Sequence, residues 1–136
     1  MRTAVIAYVA TAVVFLAMDF VWLSTMVGSF YRPRMADLLL AKPNLAVGGL
    51  FYLIYVVGVV AFVVLPALRG GGWTQAAWSG ALLGLVGYAT YDMTNLATIK
   101  GFPASVAAVD MVWGMVVTGV AGTLGMLITS LFARAP

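Results

Sequence analysis

Residues 45–68 read LAVGGLFYLIYVVGVVAFVVLPAL, twenty-four positions without one charged side chain, and Arg69-Gly70-Gly71-Gly72 follows at once. A helix needs about 20 mostly apolar residues to cross a bilayer. The run therefore reads as a membrane span, and the three glycines as the break that ends it. Upstream, a second apolar segment covers about Thr3 to Val27. It is too long for a signal core and lacks a small-residue cleavage site, so it is expected to stay as a helix. Downstream, about Trp73 to Thr98 and about Ala104 to Phe132 form two more, joined by a tight turn at Lys100-Gly101-Phe102-Pro103. The expectation is an all-α membrane protein: one domain over residues 1–136, a bundle of four transmembrane helices at 3–27, 45–68, 73–98 and 104–132.

Composition agrees. The chain is 64% hydrophobic and 8% charged, with a mean hydropathy of +1.09. Soluble domains carry about 25% charged residues to keep their surface hydrated. There is no cysteine and no histidine, which removes disulfides, imidazole bases and the usual ligands for zinc, haem and iron–sulfur clusters. Acid–base chemistry falls to four aspartates, six tyrosines and the lysines. No cofactor is expected, and the small net charge of +3 fits lipid headgroups and not nucleic acid.

Between the first two spans, Gly28-Ser29-Phe30-Tyr31-Arg32-Pro33-Arg34 reads as a bent connection. Pro33 suits the first turn of a helix, and Met35, Leu38, Leu39 and Leu40 give residues 33–41 an apolar side. A short interfacial segment and a plain loop are both compatible with that pattern. Arg2, Arg69 and Arg134 mark one side of the membrane and Arg32, Arg34, Lys42 and Lys100 the other. The positive-inside rule favours the second set as cytoplasmic by one charge, which also permits dual insertion.

Three acids fall inside spans, where an ionised carboxylate is costly and usually functional. Asp19 and Asp92 each precede a glycine (Gly28, Gly101) by nine residues, and Asp110 follows Gly101 by nine. Alternating helix direction puts all three at one level near one face. Gly80, Gly84, Tyr88 and Asp92 recur at four-residue steps with Asn95 beyond, as do Asp110, Gly114, Thr118 and Gly122. Small residues on such faces allow close approach, so Asp92 and Asp110 should meet near the turn, with Lys100 above. Tyr8, Ala12, Phe15, Asp19 and Trp22 form the matching face of the first helix. Three adjoining carboxyls cannot all be ionised without a compensating cation.

Asp19-Phe20-Val21-Trp22 and Asp110-Met111-Val112-Trp113 share Asp-x-Val-Trp. Trp22 reads as belt or core, whereas Trp113 lies deeper and could stack on a ligand or a cation. The candidate ligand-binding set is Asp19, Trp22, Tyr88, Asp92, Asn95, Asp110 and Trp113, with the three acids as catalytic candidates. Polar glue is the plain alternative, the acids being hydrogen-bonded to Tyr88, Tyr91, Thr94, Asn95 or an indole.

Tyr91-Asp92-Met93-Thr94-Asn95-Leu96-Ala97-Thr98 resembles the hallmark of a bacterial membrane family known as domain of unknown function 2177. Met18-Asp19-Phe20-Val21-Trp22-Leu23 and Asp110-Met111-Val112-Trp113-Gly114 are compatible with it. The resemblance implies a small multi-pass protein of the bacterial inner membrane and brings no established activity.

Four functions fit the residues. The foremost is binding or transport of a small amphiphilic or lipid-like molecule, coupled to protonation of the acids. The next is an isomerase-like membrane enzyme using paired carboxyls as acid and base on a lipid or isoprenoid. A third has the acids and Asn95 holding Mg²⁺ or Ca²⁺ through oxygen ligands. The last is a homo-oligomer or an accessory subunit of a larger membrane complex.

Overall fold

The computed structural model describes residues 1–133, which form helices and turns and no strand. Arg134, counted above for orientation, lies outside the described residues. Three helical stretches are long and apolar enough to span a membrane: Arg2–Met35, Leu45–Thr98 and Ala104–Ala133. Their outward faces are apolar, with Phe20, Phe62 and Leu131 each at least 70% exposed. Such a surface suits lipid and would drive aggregation in water.

Within these stretches lie α1 (Arg2–Met26), α2 (Arg32–Met35), α3 (Leu45–Val59), α4 (Gly72–Thr98) and α5 (Ala104–Ala133). The second stretch is not one straight rod. Gly70 has φ +132° and Gly72 φ +72°, backbone that glycine adopts without penalty and other residues rarely do. Across that break the two arms lie side by side. The rings of Tyr55 and Tyr88 are 6.1 Å apart, whereas a straight helix would separate those positions by about 50 Å.

The expected bend at Gly28 is corrected. The chain stays helical from α1 through a wide π turn, Val27–Tyr31, into α2. A second π turn, Val60–Val64, extends α3. Both end two residues before a proline, Pro33 and Pro66. Proline offers no N–H and crowds the carbonyl four residues back. A turn widened there absorbs the clash without stopping the helix. Hydroxyls support the first extension, Thr25 Oγ donating to the Val21 carbonyl at 2.8 Å and Ser29 Oγ to that of Thr25 at 2.7 Å.

The interfacial segment is shorter than 33–41, because regular helix ends at Met35. Leu38 and Leu39 N–H groups close back on the Met35 carbonyl, and Asn44 then caps α3 by accepting from Val47 N–H. Met35 packs with Phe102, Val106 and Ala107, with Phe30, Tyr31 and Leu39 against them. This lid of side chains holds Tyr31 over the α4–α5 turn, where Gly101 takes φ +78°.

α4 and α5 touch nearly backbone to backbone. A Cβ on Gly84 would lie 2.0 Å from the Gly114 carbonyl oxygen, and one on Gly80 2.9 Å from Gly119 Cα. Gly122 faces Val63 and Val59 instead. The larger core, Ala7, Val56, Val59, Val60, Val63, Val64, Ala67, Ala76 and Met126, fills the end that holds the Gly70 break. Phe15, Val117 and Ala121 form a smaller one beneath Tyr52, Tyr88 and Trp113.

Candidate functional site

Ala7, Thr11, Phe15 and Asp19 are the buried residues of α1, four apart and so on one face. That face carries Asp19 inward. Its Oδ2 accepts from Tyr52 Oη of α3, and its Oδ1 from Trp113 Nε1 of α5 at 3.1 Å. Phe15 meets the Tyr52 ring edge-on at 5.8 Å. One carboxylate thus ties three helices, with a donor on each oxygen. Charge-assisted bonds of this kind contribute about 1.5–3 kcal/mol each. Tyr52→Phe and Trp113→Phe are each expected to lower unfolding stability by about that amount. The loss in the double variant should differ from the sum, because the two donors share one carboxyl. Two additive losses in detergent unfolding curves would contradict a shared carboxylate.

Asp110, half-buried on α5, accepts through Oδ1 from Tyr31 Oη. The same hydroxyl accepts from Trp22 Nε1 at 3.1 Å. Trp22 lies flat on Trp113, with ring centroids 4.3 Å apart and planes 6° from parallel. The two Asp-x-Val-Trp elements therefore interlock: each indole donates away from its own acid. Trp113 serves Asp19, and Trp22 reaches Asp110 through Tyr31.

Asp92 is different. It is fully buried, and both its carboxyl oxygens lack a hydrogen-bond donor. The carboxyl of Asp110 is near enough to act on it electrostatically. Two neighbouring carboxyls are hard to ionise together when no cation is at hand. Lys100 is exposed.

Asp92 and Asp110 lie on the α4 and α5 segments that flank the turn. Asp19 stands apart from them, at the level of Trp113, one turn further along α5 or about 5 Å. Because α1 does not end at Gly28, the nine-residue spacing does not by itself set its level. It remains near enough to act electrostatically on Asp110. Tyr88 fills the space above Gly114 and touches the Tyr55 ring, packing between acids without bonding either. Asn95, partly buried, lies against Tyr91. Thr94 donates to backbone carbonyls. Among the described residues no three acids come close enough together to hold a metal ion.

The partners that sequence reasoning missed are Tyr31 and Tyr52. Tyr52 sits in the uncharged stretch from which the fold was read, where a phenol tip is one of few polar groups. Tyr31 was assigned to a connection and so was not weighed as a partner.

Two open apolar grooves flank α1. One, about 540 Å³, runs between α1 and α3 past Tyr8, Leu16, Leu50 and Tyr52. The other, about 490 Å³, lies between α1 and α5 along Trp22, Val109, Val112, Trp113 and Val116. Each groove wall includes one of the two donors to Asp19.

The sequence profile of the family described as "Predicted membrane protein (DUF2177)" matches residues 4–127. The chain belongs to this family. The match takes in Asp19, Trp22, Tyr31, Tyr52, Tyr88, Asp92, Asn95, Asp110 and Trp113, so every group of the site lies within the family's domain. No curated protein and no solved structure matches the chain.

Proposed function

We propose that the chain crosses the bacterial inner membrane four times and binds or transports a small amphiphilic molecule. Its polar group is received at Asp92 and Asp110, and its apolar part lies in the grooves beside α1. The fold-back at Gly70–Gly72 supports two crossings within residues 45–98. The observation that carries the binding reading is Asp92, whose two oxygens are fully buried without a donor. Leaving such a group unpaired costs about 1–3 kcal/mol, more when it is charged. A site that bears this cost is one that a ligand or a transferable proton completes. Asp19 has both oxygens satisfied and serves instead to hold α1, α3 and α5 around the pair.

The test is retention. Wild-type protein purified in mild detergent should carry an extractable hydrophobic compound in near-stoichiometric amount by mass spectrometry. Asp92→Asn, still folded, should lose most of it. Equal lipid profiles for the two proteins would refute the proposal.

The contact between Asp92 and Asp110 also favours a second reading, acid–base catalysis on a lipid double bond or carbonyl. One carboxyl would hold the proton while the other accepts. Identical lipid extracts from a deletion strain and its complemented parent would eliminate this reading.

A further inference from the structure

We infer that the polar group taken by the Asp92–Asp110 pair is a protonated amine, so that the amphiphile is a cationic one. This rests on the binding reading above and names the ligand class for the same site.

The charge around the pair is one-sided. Tyr31 faces it from the segment after α1, Tyr88 and Tyr91 act from α4, and Asp19 acts from α1. None of these is a cation. α3 contributes Tyr52, which is committed to Asp19. An isolated buried carboxylate is normally matched by Lys, Arg or a metal. Among the described residues no lysine or arginine donates to either acid, and the described acids do not close into a metal site.

The hydrogen-bond inventory points the same way. Neither oxygen of Asp92 receives a hydrogen bond from another side chain or the backbone, and Asp110 offers the acceptors that Tyr31 leaves. A phosphate or carboxylate head would bring only more acceptors and negative charge. An alcohol brings one donor. An ammonium brings three donors and the missing charge, and bonds to a charged group are roughly twice as strong as neutral ones.

An apolar groove opens at Trp22, which donates to Tyr31, and at Val109, next in the chain to Asp110. The α1–α5 groove is walled by two indoles and by Val109, Val112 and Val116. Its volume falls in the usual range for small-molecule sites. Aliphatic walls accept an alkyl chain, and indole rings attract ammonium groups. From Trp22 in that wall, two hydrogen bonds lead through Tyr31 to Asp110. The Tyr31 hydroxyl is then the donor that an incoming ammonium replaces.

The charge balance gives a second readout. The empty pair holds one proton between two carboxyls. When an ammonium enters, that proton leaves and the local charge is unchanged. One proton is released for each amine bound.

The full chain in nanodiscs is titrated with dodecylamine hydrochloride, dodecanol and dodecanoate, following tryptophan fluorescence and the colour of a pH indicator. Empty nanodiscs supply the partition baseline. Dodecylamine is expected to half-saturate at least about tenfold below dodecanol, with about one proton released per amine. Both signals should disappear in Asp92→Asn, and Asp110→Asn serves if that variant fails to fold. Equal affinity for the alcohol or the carboxylate overturns the amine inference and leaves amphiphile binding standing. Amine binding that survives both variants overturns it as well. Saturable binding of none of the three removes both.

Discussion

Gly84→Ala is expected to be the most disruptive single-methyl change in the chain. The added carbon would sit 2.0 Å from the Gly114 carbonyl oxygen and 2.6 Å from its carbonyl carbon. Those are backbone atoms and cannot rotate aside, so α4 and α5 must separate. Overpacking of this kind costs about 1–3 kcal/mol in a soluble core. Here the upper end applies, because separation also opens the packing that holds Asp92 against Asp110. Gly80→Ala, with contacts at 2.9 Å, should cost less. Gly48→Ala and Gly58→Ala meet nothing within 4 Å and should be neutral or slightly stabilising, since alanine favours helix over glycine by about 1 kcal/mol. Unfolding in detergent with increasing SDS would rank the four. A Gly84→Ala protein as stable as Gly48→Ala would mean that the two helices do not touch as described.

Asp92→Asn should raise stability while removing function. The carboxamide is nearly isosteric and brings an N–H₂ donor to a position that lacks one. It can donate to the Asp110 carboxylate, replacing a mobile shared proton with a fixed bond. A hydrogen bond to a charged acceptor contributes about 1.5–3 kcal/mol, so a gain of about 1–2 kcal/mol is expected after imperfect geometry. Function is lost because the pair no longer exchanges a proton. Natural sites that sacrifice stability for activity show this opposition. Two measurements check it: the SDS midpoint, which should move up, and the infrared carbonyl band of a protonated carboxyl, which should vanish. A destabilised variant that kept the band would refute the shared proton.

Helical identity and the close packing of α4 on α5 were legible in the sequence for a physical reason. Both depend on short-range regularities: uninterrupted apolar length, the four-residue recurrence of glycine, and a tight turn that leaves no freedom in pairing. The Gly70 break was legible because three consecutive glycines have few other uses. The position of Asp19 was not. It depends on where α1 ends, and Gly28 invited a stop that the backbone does not make. Pro33 reads as the first turn of a separate helix, and Pro66 lies unremarked in an apolar run. Each is accommodated by one wide turn upstream, a solution that leaves no mark in composition. The partners Tyr31 and Tyr52 were hidden for a related reason. A tyrosine in an apolar run is indistinguishable from belt or core until the helix opposite it is known. The indole was anticipated as a type of partner, but not that each Trp would serve the other element's acid.

The bonds that Asp19 accepts come from positions 33 and 94 residues later in the chain. A ribosome delivers them in that order. On the proposed topology, α1 enters the bilayer with an acid that has no partner, receives its first donor when α3 arrives, and its second only with α5. The first helix is therefore poorly anchored until α5 arrives. A chain cut short before Trp113 leaves Oδ1 bare in hydrocarbon, and cellular quality control can recognise that defect. Arrival of α5 and closure of the bundle become a single event.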